Sequence, residues 1–232
     1  MDTDFQRARS DEQRAIRRQT ILDTAAAMLE EMPVGEVSLN ELSRRVGLAK
    51  SNVLRYFDSR EAVLLELLDS LLNDWLEHLA QELASAVKPK ARYERRAEQL
   101  AGAFATSLAE RPVLCDLLSA QAAVLEHNVS VEAITSFKQR GLANAQVLTQ
   151  LVNDALLELT EDQAWRLVLG VLLMTSALWS YATPPQAVLD AYEQHEDLRA
   201  MRLEFSAALE DHVITLAIGL HARAGARRAV RA

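Results

Sequence analysis

Ser38-Leu39-Asn40-Glu41-Leu42-Ser43-Arg44-Arg45-Val46-Gly47-Leu48-Ala49-Lys50-Ser51-Asn52-Val53-Leu54-Arg55-Tyr56-Phe57 contains two short apolar stripes separated by a glycine. Leu39, Leu42 and Val46 share one face of a helix of about two turns, and Gly47 stands where a left-handed C-terminal residue is wanted. Ser38 and Glu41 have the spacing of a capping box, in which hydroxyl and carboxylate satisfy reciprocal backbone N–H groups. A second helix over about 50–56 buries Val53 and Phe57 at i and i+4. Lys50, Ser51, Asn52, Arg55 and Tyr56 are then left facing outward. Two such helices joined by Gly47-Leu48-Ala49 and braced by a preceding helix have the spacing of a helix-turn-helix.

The outward residue types suit DNA. Lys and Arg donate to guanine O6 and N7, Asn pairs with the N6/N7 edge of adenine, and Ser and Tyr hydroxyls reach bases or phosphates. The same pattern is also compatible with a solvated face on a small helical corner.

The rest of the chain reads as further helices. Seven Gly and five Pro in 232 residues are roughly half of average usage, so turns are few. Half of the residues are hydrophobic but only 5% are aromatic, a mixture that favours helices over sheets. Breakers and caps predict about nine helices: 14–32, 38–46, 50–56, 59–87, 92–110, 112–126, 131–157, 161–181 and 198–221. The pairs Asp58/Glu61 and Thr160/Gln163 offer two further capping boxes. The expected class is all-α, with domains at 1–58 and 59–226 and a basic tail at 227–232.

Several functions lack their residues. The glycines form neither a dinucleotide fingerprint nor a phosphate loop. HExxH, CxxC and GxSxG are absent and the five histidines are unpaired at helical spacing, so no metal, cofactor or catalytic group is expected. The single cysteine, Cys115, makes no internal disulfide and reads as a buried small hydrophobe rather than a redox sensor. Residues 1–10 carry no apolar signal segment, and the apolar run 167–182 is shorter than a bilayer span of about 20 residues. The expected setting is the cytoplasm, with no membrane partner.

Residues 21–65 resemble the DNA-binding region of the TetR family of transcriptional regulators. The likeness runs through Ile21-Leu22, Ala25-Ala26, Ser38 to Leu42, Val46 to Ser51, Tyr56-Phe57, Ser59-Arg60-Glu61 and Leu64. It implies a homodimer of helical subunits that binds a double-stranded operator and answers to a small-molecule effector. By position, Ser38, Tyr56 and Arg60 match phosphate contacts, while Lys50, Ser51, Asn52 and Arg55 match base-reading positions. Leu54 replaces a frequent Tyr.

The resemblance places the dimer interface on the late apolar helices, where Leu169, Leu172, Leu173, Ser176, Trp179, Phe205, Leu209 and Leu216 are the candidates. Phe104, Leu108, Cys115, Leu118, Gln121, Phe137 and Met174 are candidate effector-pocket residues, mostly apolar as such pockets are. The arginines of the arm (Arg7, Arg9) and of the tail (Arg227, Arg228, Arg231) read as solvated ends. A ligand-responsive repressor is the leading expectation. An all-helical ligand-binding or enzymatic protein and a dimeric interaction scaffold are its rivals.

The net charge of −8 argues against indiscriminate coating of nucleic acid. Its distribution is uneven: residues 1–60 hold 10 Lys/Arg and 10 Asp/Glu, so the excess acid lies entirely beyond residue 60.

Overall fold

The computed structural model describes residues 2–229, with side chains described over 12–223. The side chains of Arg7, Arg9, Arg227 and Arg228, and the whole of Arg231, lie outside the described residues. Among those described there are ten α-helices and no strand, as composition predicts. The chain divides into two units. The first comprises 1–70 and 120–138, and the second 71–119 and 139–232. This is not a linear cut at 58/59, because the segment 120–138 belongs with the N-terminal helices.

The first unit contains α1 (Asp2–Glu31), α2 (Leu39–Val46), α3 (Lys50–Val53) and the start of α4 (Arg60–Ala86). Ile21, Ala25, Met28, Leu42, Val53, Val63 and Leu64 are almost completely buried and form its core. α1 begins well before residue 14, the expected start. Pro33 ends it, and a 3₁₀ turn at Val34–Glu36 leads to α2. Gly47 closes α2 with φ +73°. Gly47 N–H donates to Arg44 O at 3.2 Å and Leu48 N–H to Ser43 O at 3.0 Å, the paired bonds of a Schellman ending.

The three expected capping boxes come out differently. Thr160 and Gln163 form the complete box at the start of α8. Ser38 accepts from Glu41 N–H at 3.2 Å, but the Glu41 carboxylate is drawn to Arg44 and Arg45 instead of returning to the cap. At the third site the cap moves by one residue, for Ser59, not Asp58, accepts from Ala62 N–H at 3.1 Å.

The second unit takes most of α4, then α5 (Tyr93–Ala109), α6 (Pro112–Ala120), most of α7 (Val131–Ala155), α8 (Glu161–Ala182), α9 (Gln186–Gln194) and α10 (Phe205–Ala229). Here α10 packs along both α5 and α8. Tyr93 on α5 donates to Ala217 O at 2.8 Å and stacks on His221 at 4.1 Å. Gln163 on α8 donates to Leu220 O at 2.6 Å. Trp75 is fully buried, tilted against Phe104, and donates from Nε1 to Ser107 at 3.0 Å.

Two boundaries depart from expectation. The helix expected at 198–221 begins at Phe205, preceded by a 3₁₀ turn at Glu196–Met201. α9 was not anticipated at all. It is short, lies just after Pro184-Pro185, and buries none of its residues.

Candidate nucleic-acid interface

The αL ending at Gly47 turns the chain directly into α3, whose first bonds run from Asn52 and Val53 N–H to Ala49 O. α3 is shorter than the seven residues expected. Beyond Val53 the chain tightens, with Arg55 N–H on Asn52 O and Tyr56 N–H on Val53 O, the i→i+3 pattern common where helices end. Val53 and Phe57 are buried beneath it. Lys50, Ser51, Asn52 and Arg55 are exposed, with Tyr56 half-buried and Leu54 exposed. Ser38 is exposed at the start of α2.

Arg60 does not share that outward position. Its side chain is only 17% exposed and pairs with Glu61. Its Nη1 donates to Val37 O at 3.0 Å and Gly35 O at 3.4 Å. A guanidinium with three acceptors inside its own unit fastens the Gly35–Val37 turn to α4. This corrects the phosphate-contacting role read from position.

Other arginines are also tied to carboxylates. Glu41 holds Arg44 at 2.6 Å and Arg45 at 2.9 Å, and Arg45 also reaches Glu31 at 2.7 Å. The Arg44 hydrogen bond, followed by that of Arg45, lowers the Glu41 carboxyl to about 2. Arg44, Arg45 and Arg60 are thus partly neutralised, and the outward positive field of residues 38–60 is weaker than their number of Lys and Arg suggests.

Arg18 is a residue that sequence reading missed. It donates to the Tyr56 carbonyl, pairs with Glu66 on α4, and lies 4.3 Å over the Phe57 ring. One guanidinium thus anchors the end of the segment 50–57 and α4 to α1. Its signal was its place on the Ile21/Leu22/Ala25 stripe of α1, where a charged group needs partners.

The segment 120–138 reaches the same loop. Ser130 caps α7 by accepting from Ala133 N–H at 3.2 Å and donates to Asp58 Oδ2 at 2.8 Å. Asp58 is thereby engaged by another helix start instead of capping its own. The segment opens with a π turn at Gln121–Leu125. Burial pushes the Glu126 carboxyl up, but Lys138 and Gln121 outweigh it and hold it below the ordinary range.

The candidate pocket residues fall in both units. Phe104, Leu108, Cys115 and Leu118 are buried and Met174 half-buried in the second, whereas Gln121 and Phe137 belong to the first. Cys115 donates to Leu108 O at 3.3 Å. Burial, reinforced by Asp116, pushes its thiol up to about 12, which disfavours the thiolate that redox sensing requires. The fully buried Thr175 hydroxyl, beside Met174, has no hydrogen-bond partner.

The candidate interface residues also divide. Phe205 and Leu209 are buried in the second unit. This corrects their placement on an outer face: Phe205 packs edge-on against Trp179, centroids 4.9 Å apart. Trp179 donates to Asp116 at 2.7 Å and Ser176 to Leu118 O at 3.1 Å, so both bind α8 to α6. Leu172 and Leu216 are half-buried. Leu169 and Leu173 are 48% and 62% exposed, and Trp165, one turn earlier and not anticipated, is 37% exposed.

Residues 21–67 match the family described as bacterial regulatory proteins, tetR family, and residues 69–224 match the tetracyclin repressor-like C-terminal domain. The HTH-type transcriptional regulator EthR of Mycobacterium tuberculosis is 42% identical over 53 residues, 23% of this chain and 24% of EthR. That match spans about a quarter of the relative's length. A possible TetR family transcriptional regulator from Streptomyces coelicolor superposes with a TM-score of 0.55 at 18% identity, covering 90% of this chain and 98% of that one. FadR from Bacillus subtilis, in complex with stearoyl-CoA, gives 0.52 at 13% identity, covering 86% and 96%. At these identities the structural likeness establishes the fold.

Proposed function

The chain belongs to the TetR family of transcriptional regulators, and from that premise we propose that it is a ligand-responsive repressor. It binds a pseudo-palindromic operator as a cytoplasmic homodimer, is released by a small, mostly apolar molecule, and performs no catalysis. The observation that carries the DNA reading is the set Lys50, Ser51, Asn52 and Arg55, exposed on a segment fixed from below by Val53 and Phe57. Asn52 and the cations read base edges. Ser38 and Tyr56 meet phosphates, a role from which Arg60 is withdrawn.

The dimer reading is supported by α8. It is 22 residues long, and its most apolar 18-residue stretch has mean hydropathy 1.3, yet only 28% of that stretch is buried. At about 33 Å such a helix has the length and composition of a membrane span. Its fixed polar groups, Gln163, Ser176 and Trp179, favour a helix covered by protein. Trp165, Leu169 and Leu173 recur every four residues along one exposed face, a geometry that a second copy would cover.

The effector reading rests on the buried apolar set Phe104, Leu108, Cys115 and Leu118, with Met174 half-buried and the unpaired Thr175 hydroxyl as the polar group. α4 belongs to both units, so a ligand that prefers one dimer shape over another has a continuous helix through which to alter operator affinity.

The test is selection of duplexes from a random pool, followed by mobility shift and sedimentation. A two-fold site with half-sites roughly 34–36 Å or a multiple apart, bound by a dimer, is the expected result. Failure to enrich any sequence overturns the DNA reading, and a stable monomer overturns the dimer.

A further inference from the structure

Beside the reading segment lies an open groove of about 870 Å³, lined on the α1 side by Gln13, Arg14, Ile16, Arg17 and Thr20 and completed by Leu48, Asn52, Arg55 and Tyr56. The five α1 side chains are exposed, and their spacing puts them on neighbouring faces of one helix. Three guanidinium groups border this groove and no carboxylate does. Elsewhere in the unit the pattern is the reverse: Arg18 pairs with Glu66, Arg44 and Arg45 with Glu41, and Arg60 with Glu61. The groove gathers positive charge where the surrounding surface neutralises it, and it shares Asn52 and Arg55 with the segment assigned to base reading.

An extended polyanion fits this arrangement better than a compact one. The cations come from two separate elements bordering an open channel, and amide and hydroxyl groups lie between them. With α3 in a major groove, the nearest polyanion is the sugar-phosphate strand that borders it. We propose that Arg14 and Arg17 hold this strand from the α1 side while Arg55 and Asn52 face the bases, so that α1 is part of the DNA-binding surface. The proposal rests on the DNA-binding reading above. Its contacts are to phosphate, so they set affinity and register without distinguishing sequence.

The experiment measures the binding of two labelled duplexes, one selected by the wild-type protein and one scrambled, between 50 and 200 mM KCl. For the full-length double variant R14A/R17A, the slope of log K against log salt falls by about 1.8 per engaged subunit, at roughly 0.9 per lost phosphate contact. The affinity lost across that salt range shrinks about twelvefold per subunit, equally on both duplexes. R14K/R17K retains the slope. So does Arg95→Ala, which removes one positive charge in the second unit, where Arg95 pairs with Glu98. An unchanged slope in R14A/R17A, with wild-type binding intact, overturns the proposal. A loss confined to the selected duplex also does so, by making these arginines base readers. Salt-sensitive binding to anionic lipid vesicles that needs the two arginines, with duplex binding unaffected, assigns the groove to another polyanion. If the wild-type protein binds neither duplex, the DNA-binding reading itself fails.

Discussion

Arg45 in the first unit and Arg96 in the second are both ion-paired, but under opposite conditions. Arg45 is 25% exposed and shares two surface carboxylates. Arg96 is 5% exposed, pairs with Glu158 and donates to Ala155 O at 3.1 Å. The first pairing trims a field that reaches solvent, while the second ties α5 to the end of α7 inside a core. Apolar groups show the inverse contrast. Around α1 to α3 the exposed large ones, Ile16 and Leu54, are isolated, whereas α8 exposes a row of them. The helices α1 to α3 therefore present selected charge outward, whereas α8 presents uncovered hydrocarbon. The proposed operator contact draws on the first of these surfaces and the proposed subunit contact on the second.

The sharpest way to break this contrast is to damage the second unit's core and ask whether reading geometry survives. Trp75→Ala removes a fully buried indole and its bond to Ser107. It is expected to cost about 3–5 kcal/mol in urea unfolding. A cost under about 1 kcal/mol would show that the side chain is not part of a tightly packed core. In the first unit, Lys50→Ala or Asn52→Ala is expected to cost about 1–3 kcal/mol in binding at one cognate base, with stability held within about 0.5 kcal/mol. Equal weakening on every sequence would make these residues phosphate contacts.

Gly47→Ala places a Cβ in a left-handed conformation at φ +73°. It is expected to lower stability by about 1–2 kcal/mol in a thermal melt, and no change would mean that the turn between α2 and α3 can re-form another way. The smallest effect concerns Glu41. Its folded carboxyl is lowered from 4.5 to about 2 by Arg44 and Arg45. Its contribution is therefore fully present above the ordinary carboxylate value and fades as pH falls from there towards 2. Comparing wild type with Glu41→Gln between pH 5 and 2 should show the difference closing on acidification; a constant difference would mean the ion pairs are inert.

The sequence made the local parts legible. Gly47, the Ser38 hydroxyl, the Thr160/Gln163 box and the buried pair Val53/Phe57 all act within a few residues of where they stand, and all adopt the geometry their spacing implies. What it concealed depends on distant partners. Arg60 is withdrawn by carbonyls 23 and 25 residues away, and Asp58 is engaged by a serine 72 residues along the chain. The second unit was harder for a different reason: an apolar stripe reads alike whether it lines a core, a pocket or a subunit contact. Phe205 and Leu209 prove to be core, and only Leu169 and Leu173 of the expected interface are largely exposed.

Ser130 gives that long-range link a kinetic meaning. Its single proton is committed to Asp58 while its oxygen holds the Ala133 amide. Solvent exchange at Ala133 requires its bond to the Ser130 hydroxyl to break, the same hydroxyl that donates to Asp58. The exchange rate of one amide in α7 is thus expected to report on the Ser130 hydroxyl that also holds Asp58, in the loop that follows α3. It can be followed without labelling any residue that would touch DNA.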